Sequence, residues 1–329
     1  MTDATLRRIC IVGGAGFIGS HFVDRLLASD ATERVTVYDN FSSGREWHLA
    51  HHQNDSRLDV VKADVRDLEE LVRAMDGHDT VVHLASNPDI ARAATEPAVD
   101  FDQGTLLTHH VAEAARRGGV QRVLYASGSG VYGDLGEHEV AEDYGPLVPV
   151  STYGASKLAG EALFASYAAM FGLTVRAFRF GNVVGPHQTH GVGYDFVRRL
   201  LDDPTQLRIL GDGQQSKSYI HVSDVVAAVL LAAQQARTPF DVFNVATGDY
   251  VTVTEIAELA MEVVGLQAGS TRFEYTGGDR GWKGDVPVVR INTDRIRAIG
   301  WSNERTGRQA LQASMESMAV DARNGRFSD

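Results

Sequence analysis

The chain has 329 residues, with 43 Asp and Glu against 31 Lys and Arg, a formal net charge of −12, 43% hydrophobic residues and a single cysteine. That balance excludes wholesale disorder, an internal disulfide and a cysteine-built metal centre. It also lacks the basic field that nucleic-acid binding requires, whereas a small anionic ligand needs only a local site.

The first half alternates short apolar runs with longer amphipathic ones. Residues 9–12 read as a strand, and 17–29 as a helix with apolar Phe17, Ile18, Phe22, Val23, Leu26 and Leu27 at helical spacing. Strands follow at 34–38 and 58–62, then a helix at 68–75 and a strand at 80–85. A helix over 104–117 stops at Gly118-Gly119. After a strand at 122–127, a long helix over 153–171 stops at Gly172, and a strand occupies 173–180. Apolar strands separated by helices imply a parallel sheet covered on both faces.

Beyond Phe180 the pattern loosens. Gly, Pro and His collect in GNVVGPHQTHGVG, a helix follows near 194–201, and LGDGQQSKSYIHV reads as strand, loop and strand. Residues 222–235 are helical, and FNVAT reads as one more strand of the main sheet. A helix near 254–264 and the Gly-rich GGDRGWKGDV complete a smaller lobe. At roughly 150 residues per domain the length fits two units, 1–181 and a mainly substrate-binding 182–329. The chain is expected to return to the first unit around 219–247. No run approaches the roughly 18 apolar residues of a membrane span. The N-terminal segment has a Gly pair where a signal peptide needs an unbroken apolar stretch. A soluble, cytoplasmic protein without membrane or nucleic-acid partners is expected.

Two motifs carry chemistry. Gly13, Gly16 and Gly19 form a GxxGxxG between the first strand and first helix, where glycine allows a tight turn and close backbone approach to a pyrophosphate. The free N–H groups of the helix start then face the phosphates. Asp39 closes the second strand 20 residues after Gly19, placed to bond a ribose 2′-hydroxyl and repel a 2′-phosphate, which favours NAD over NADP. Tyr153 and Lys157, four apart, share one helix face. A phenol with a pKa near 10 is a poor base at neutral pH, and a neighbouring ammonium and a positive nicotinamide ring would both favour the phenolate. An exposed helical pair is the plain alternative, which the preceding dinucleotide loop makes the weaker one.

The blocks GGAGFIGS, YDNFSSG, ADVRD, VVHLAS, SGSGVYG, YGASK, FGNVVGP and LGDGQQSKSYIHVSD resemble the extended short-chain dehydrogenase/reductase family over nearly the whole chain. The likeness is greatest to its NAD-dependent nucleotide-sugar epimerases and dehydratases of the UDP-glucose 4-epimerase kind. THGVGYDF and RGWKGDV resemble a prokaryotic epimerase subgroup. The resemblance implies a doubly wound parallel (Rossmann) sheet with a smaller C-terminal α/β substrate lobe, NAD as cofactor, a nucleotide-sugar substrate, and a homodimer formed through the helices at 104–117 and 153–171. It implies C4 epimerisation of a UDP-hexose through a transient 4-keto sugar, with Tyr153 removing the 4-hydroxyl proton. It places Gly13, Gly16, Phe17, Ile18 and Gly19 at the pyrophosphate, and Asp39, Asn40, Ser43 and Gly44 at the adenosine ribose. Asp64 and Val65 fall at the adenine, Leu84, Ala85 and Ser86 beside the nicotinamide, and Asn182, Lys217 and Arg280 near the substrate diphosphate. Lys217 stands where many relatives carry Arg, so a bidentate phosphate contact is lost.

Two departures stand out. The family's NxxGT appears as Gly104-Thr105-Leu106-Leu107-Thr108, with Gly for Asn. The family's catalytic Ser/Thr position is Gly128, the second site-facing position is Gly130, and Ser127 and Ser129 lie one step out of phase. A bulge at 128–130 would turn Ser129 inward as a third catalytic group; an unbroken strand would leave Tyr153 working alone or through water. The Thr-Asp-Glu of related 4,6-dehydratases and the Glu of related decarboxylases are absent from 128–130, which disfavours both activities. A dehydratase or 4-keto-sugar reductase with atypical acid/base groups, and a non-catalytic sensor of NAD or sugar nucleotide, are the rival readings. No metal site is expected, because His51-His52 and His109-His110 lack the i,i+4 spacing of a helical zinc pair. His83 is expected in the core, and His187 and His190 in a loop near the substrate.

Overall fold

The computed structural model describes residues 6–235, 238–282 and 284–326, apart from the Ala91 side chain. Seven strands form one parallel sheet: β1 (Arg8–Val12), β2 (Arg34–Asp39), β3 (Leu58–Lys62), β4 (Thr80–His83), β5 (Arg122–Gly128), β6 (Thr174–Phe180) and β7 (Phe240–Val245). Their spatial order is β7-β6-β5-β4-β1-β2-β3, so the winding direction reverses between β1 and β4. Ligands of such sheets bind outside the carboxyl ends of the strands at that reversal.

The longer helices are α1 (Phe17–Leu27), α2 (Leu68–Met75), α3 (Leu107–Arg117), α4 (Thr152–Phe171), α5 (Val192–Asp202), α6 (Val222–Gln234), α7 (Val253–Val264) and α8 (Gly307–Arg323). Side-chain alternation along β1 divides the core. Ile9 and Ile11 join Phe22, Val23 and Leu26 of α1 and Val225 and Val229 of α6. Cys10 and Val12 face the opposite layer, with Met75 of α2, Val111 of α3 and Phe164 of α4. Each such side chain taken fully from water contributes roughly 1.5–3 kcal/mol. A third core joins α5, α7 and α8 to Leu207 and Ile209. There Gln206–Ile209 pairs in parallel with Arg272–Tyr275. The chain leaves the sheet after Phe180 and comes back to its edge at β7, beside β6.

Three details differ from the sequence expectation. The strand expected to reach residue 85 stops at His83, because the Leu84 and Ala85 N–H groups both turn onto Val12 O, at 2.9 and 3.0 Å. The helix expected from residue 104 is helical from Ala98, with a wide π-turn over Phe101–Leu106 ahead of α3. At that turn Gly104 lies flush on α4, where a Cβ would sit 2.5 Å from Ser156 Oγ. Third, β5 pairs with β6 residue for residue through Gly128↔Phe180, so no bulge interrupts the strand. The chain turns only afterwards, in a short 3₁₀ turn at Ser129–Tyr132.

Candidate active site

A cavity of about 1630 Å³ opens at the carboxyl ends of β1, β2, β4 and β5 and extends to the second lobe. Its dinucleotide side is built by the loop after β1. Gly13 has φ +85°, and a Cβ there would meet Ala85 N at 2.7 Å; one on Gly19 would meet Gly13 O at 2.3 Å. Only glycine lets the helix start this close to the sheet. Gly16 caps α1 without any side-chain hydrogen bond, which leaves the first N–H groups of the helix available to an anion. Asp39, buried at the end of β2, accepts from Ala15 N (2.9 Å) and Phe41 N (2.8 Å). Burial raises its carboxyl above the usual range against those two donors. Asp64 accepts from Asn40 Nδ2 at 3.1 Å. The Arg66 guanidinium holds its carboxyl well below the ordinary range. An uncapped helix start, a cradle that Cβ atoms would fill and a buried carboxylate closing β2 together fit a dinucleotide with a free ribose 2′-hydroxyl. Every residue expected at the cofactor lines the cavity except Gly44, which packs against Ala15 instead.

The opposite wall carries Tyr153 and Lys157. The Ser151 hydroxyl accepts from Gly154 N at 3.1 Å and caps α4, so Tyr153 falls in its first turn; such caps are worth about 1 kcal/mol. Lys157 is buried and donates to Ala126 O at 2.8 Å, with Nζ 5.5 Å from the Tyr153 ring centre. Burial pushes Tyr153 up to about 12, opposed by the Ser86 hydroxyl and reinforced by Asp100. Burial likewise pulls Lys157 down to about 8, and Asp100 opposes that shift. Asp100 itself is fully engaged, accepting from Asn87 Nδ2 (2.8 Å) and Thr152 Oγ1 (2.7 Å), and does not line the cavity.

The strand register fixes where the nearby hydroxyls fall. Ser127 donates to Glu161 at 2.6 Å, inside a buried network with Arg179, and is spent there. A Cβ added to Gly128, whose backbone is extended, would meet nothing within 4 Å. Ser129 reaches the cavity wall from the 3₁₀ turn and not from a bulge. Ser86, expected only beside the nicotinamide, has a buried Oγ without an ideal hydrogen-bond partner and faces Tyr153 closely enough to lower its phenol.

On the substrate side Asn182 and Lys217 line the cavity, and Lys217 Nζ pairs with Asp285 at 2.5 Å. Arg280 does not line it, because its guanidinium pairs with Asp134 and donates to Asp285 O. Arg199 and Arg208, which the sequence did not single out, border the cavity. The one available signal was Arg208 on the outward side of an alternating QLRI strand. His83 is in the core, its Nε2 3.0 Å from Thr108 Oγ1. His190 borders the cavity, whereas His187 stacks on His48 away from it.

A reversal-point cleft with a ribose carboxylate on one wall and a Tyr–Lys pair on the other defines a dinucleotide-dependent enzyme that acts at a hydroxyl-bearing carbon. The chain belongs to the NAD dependent epimerase/dehydratase family, whose model matches residues 9–246. It is 32% identical over 316 residues to the UDP-glucose 4-epimerase of Mycolicibacterium smegmatis, covering 94% of this chain and 97% of that protein. A crystal structure of a UDP-galactose 4-epimerase superposes with a TM-score of 0.83 at 36% identity, over 95% of this chain and 99% of the other. The dTDP-glucose 4,6-dehydratase DesIV of Streptomyces venezuelae, solved with NAD bound, gives a TM-score of 0.88 at 29% identity, over 97% and 98%. Among the described residues no helix is long and apolar enough to cross a membrane.

Proposed function

We propose that this protein is an NAD-dependent epimerase acting at C4 of a nucleotide-diphosphate hexose, with UDP as the nucleotide. The observation that carries this reading is Tyr153 and Lys157 on a cavity wall whose neighbouring segment, Gly128-Ser129-Gly130, holds no carboxylate. Loss of water requires a carboxyl acid/base pair there, whereas turning over a ketone requires one group to move a proton. Bound NAD would oxidise the hydroxyl-bearing carbon and reduce it again from the opposite face. Tyr153 Oη takes and returns the proton of the sugar hydroxyl, Lys157 orients it, and Asp39 selects the cofactor ribose. Asn182 and Lys217 hold the substrate diphosphate. Ser86 stands in for the hydroxyl missing at Gly128, because its Oγ faces the Tyr153 hydroxyl in the same cavity.

Incubation with UDP-glucose or UDP-galactose should interconvert them without net NADH. A 4-keto-6-deoxy product would replace this reading with the dehydratase one, which the likeness to DesIV favours. Asp39→Ala should shift cofactor preference from NAD toward NADP, read by fluorescence titration with each; an unchanged ratio would remove Asp39 from the selection. Ser86→Ala should lower kcat about 10-fold or more, while Ser129→Ala is nearly silent and Gly128→Ser is tolerated. The reverse pattern for the two serines would return the role to Ser129. We further propose a homodimer through α3 and α4, supported by the outward small residues Ala155, Ala162, Ser166 and Ala169 and by exposed Met170 on α4. Light scattering after gel filtration tests that assembly.

A further inference from the structure

A second cluster of donors lies outside the cavity wall, where α1 meets the turn that follows the ribose-side loop. Asp24 of α1 receives two imidazoles from the short 3₁₀ turn Ala50–His52: His51 Nε2 and His52 Nε2 each lie 2.8 Å from the same oxygen, Oδ1. These three donor atoms all lie within 4.8 Å of one another. One turn earlier on α1, His21 brings Nδ1 to 4.0 Å from the other oxygen, Asp24 Oδ2. Its Nε2 lies 2.9 Å from Pro186 O. An N–H donated there fixes the tautomer and leaves Nδ1 with its lone pair turned toward the carboxylate. The ring is held in that orientation by stacking on His187 at 5.2 Å between centres.

We propose that Asp24, His51 and His52 form a binding site for a divalent transition-metal ion of the zinc type, with His21 beside it on α1. Zn–N and Zn–O bonds of about 2.0–2.1 Å place tetrahedral ligand atoms roughly 3.3 Å apart, within the spread of these donors. Two imidazole nitrogens with one carboxylate, and a coordination position left for water, suit zinc, cobalt or nickel, whereas calcium and magnesium require mainly oxygen ligands. His21 and His52 are largely covered, with side chains 17% and 19% exposed, while His51 at 52% leaves an entry path. The i,i+4 rule could not find this set, because the ligands come from two elements 27 residues apart.

An ion here would tie the 50–52 turn to α1, and so brace both sides of the dinucleotide loop. His48, in the same segment, already holds that loop through Ala15 O at 2.8 Å. The role is structural, so its test does not depend on the epimerase reading.

The experiment is isothermal titration of Zn²⁺ into untagged, EDTA-treated protein, together with melting in the presence and absence of the ion. One equivalent should bind at micromolar or tighter affinity and raise the melting temperature. Loss of a supporting group typically weakens a metal site by about 10–100-fold, so loss of a ligand should do at least as much. His51→Ala and Asp24→Asn should therefore weaken binding at least tenfold, and His109→Ala, in the other histidine pair, should leave it intact. His51 is half exposed, so its variant should fold. Absence of binding at micromolar Zn²⁺, or binding undiminished in both His51→Ala and Asp24→Asn, would overturn the site.

Discussion

Replacement of Tyr153 by Phe should lower kcat by about 10²–10⁴ while folding and NAD binding survive, the range expected for one positioned proton-transfer group. The ring volume is kept and only the hydroxyl is removed. Without a ligand, burial holds that hydroxyl up to about 12, so it is a neutral phenol at pH 7. A group that must lose its proton to act, with its pKa raised, gives a rate that climbs as pH rises toward that pKa. The positive charge of the oxidised nicotinamide would draw the climb to lower pH. The wild type should show this alkaline limb in kcat/KM, and Tyr153→Phe should lack it. Activity of the variant within threefold of wild type, with the limb intact, would show that Tyr153 is not the base.

The parallel sheet was legible because both faces of its strands are buried, so β1, β2, β4 and β5 read as continuous apolar runs. The dinucleotide wall was legible because its requirements are local: the Gly13 turn, the Gly19 approach and Asp39 at a strand end all lie in one βαβ unit. Contacts between distant segments were not. Gly104 reads as a lost Asn, and only packing on α4 shows that a side chain there would strike Ser156. Arg280 matched a motif, yet its guanidinium is claimed by Asp134, which is 146 residues away. A bulge that turns Ser129 inward would draw on glycine's backbone freedom, but that freedom is unused at Gly128, which is extended and paired with Phe180. Ser86 was legible as a cavity residue and not as a partner of Tyr153, because Ser86 follows β4 while Tyr153 lies in the first turn of α4. The upward shift of the phenol in the ligand-free site was not legible either, because a sequence shows the charge of Lys157 and not the desolvation of both groups.

Lys157→Met should abolish most activity without loss of stability at pH 7, a combination that separates a functional buried charge from a structural one. The ammonium is buried and makes one hydrogen bond, to Ala126 O at 2.8 Å. Burial lowers its pKa to about 8, and Asp100 only partly opposes this. The ordinary lysine value is about 10.4. Below about pH 8 the lysine is charged in both the folded and unfolded protein, and the folded state carries the full desolvation penalty. Between about 8 and 10.4 the folded state sheds its proton first, so stability rises with pH; above that window the penalty is gone. Methionine keeps most of the side-chain length, removes the charge and gives up a charge-assisted hydrogen bond worth roughly 1.5–3 kcal/mol net, which the lost desolvation penalty offsets. At pH 7 the variant should therefore melt at or above the wild-type temperature, and this advantage should shrink as pH rises through the same window. Activity should fall about 10²–10⁴-fold, because Tyr153 loses the cation that orients the sugar hydroxyl beside it. Denaturant titration at pH 7 and pH 10 alongside steady-state kinetics makes the comparison. A variant that is clearly less stable at pH 7 would show that the Ala126 contact outweighs desolvation. One that keeps near-normal turnover would remove Lys157 from the reaction.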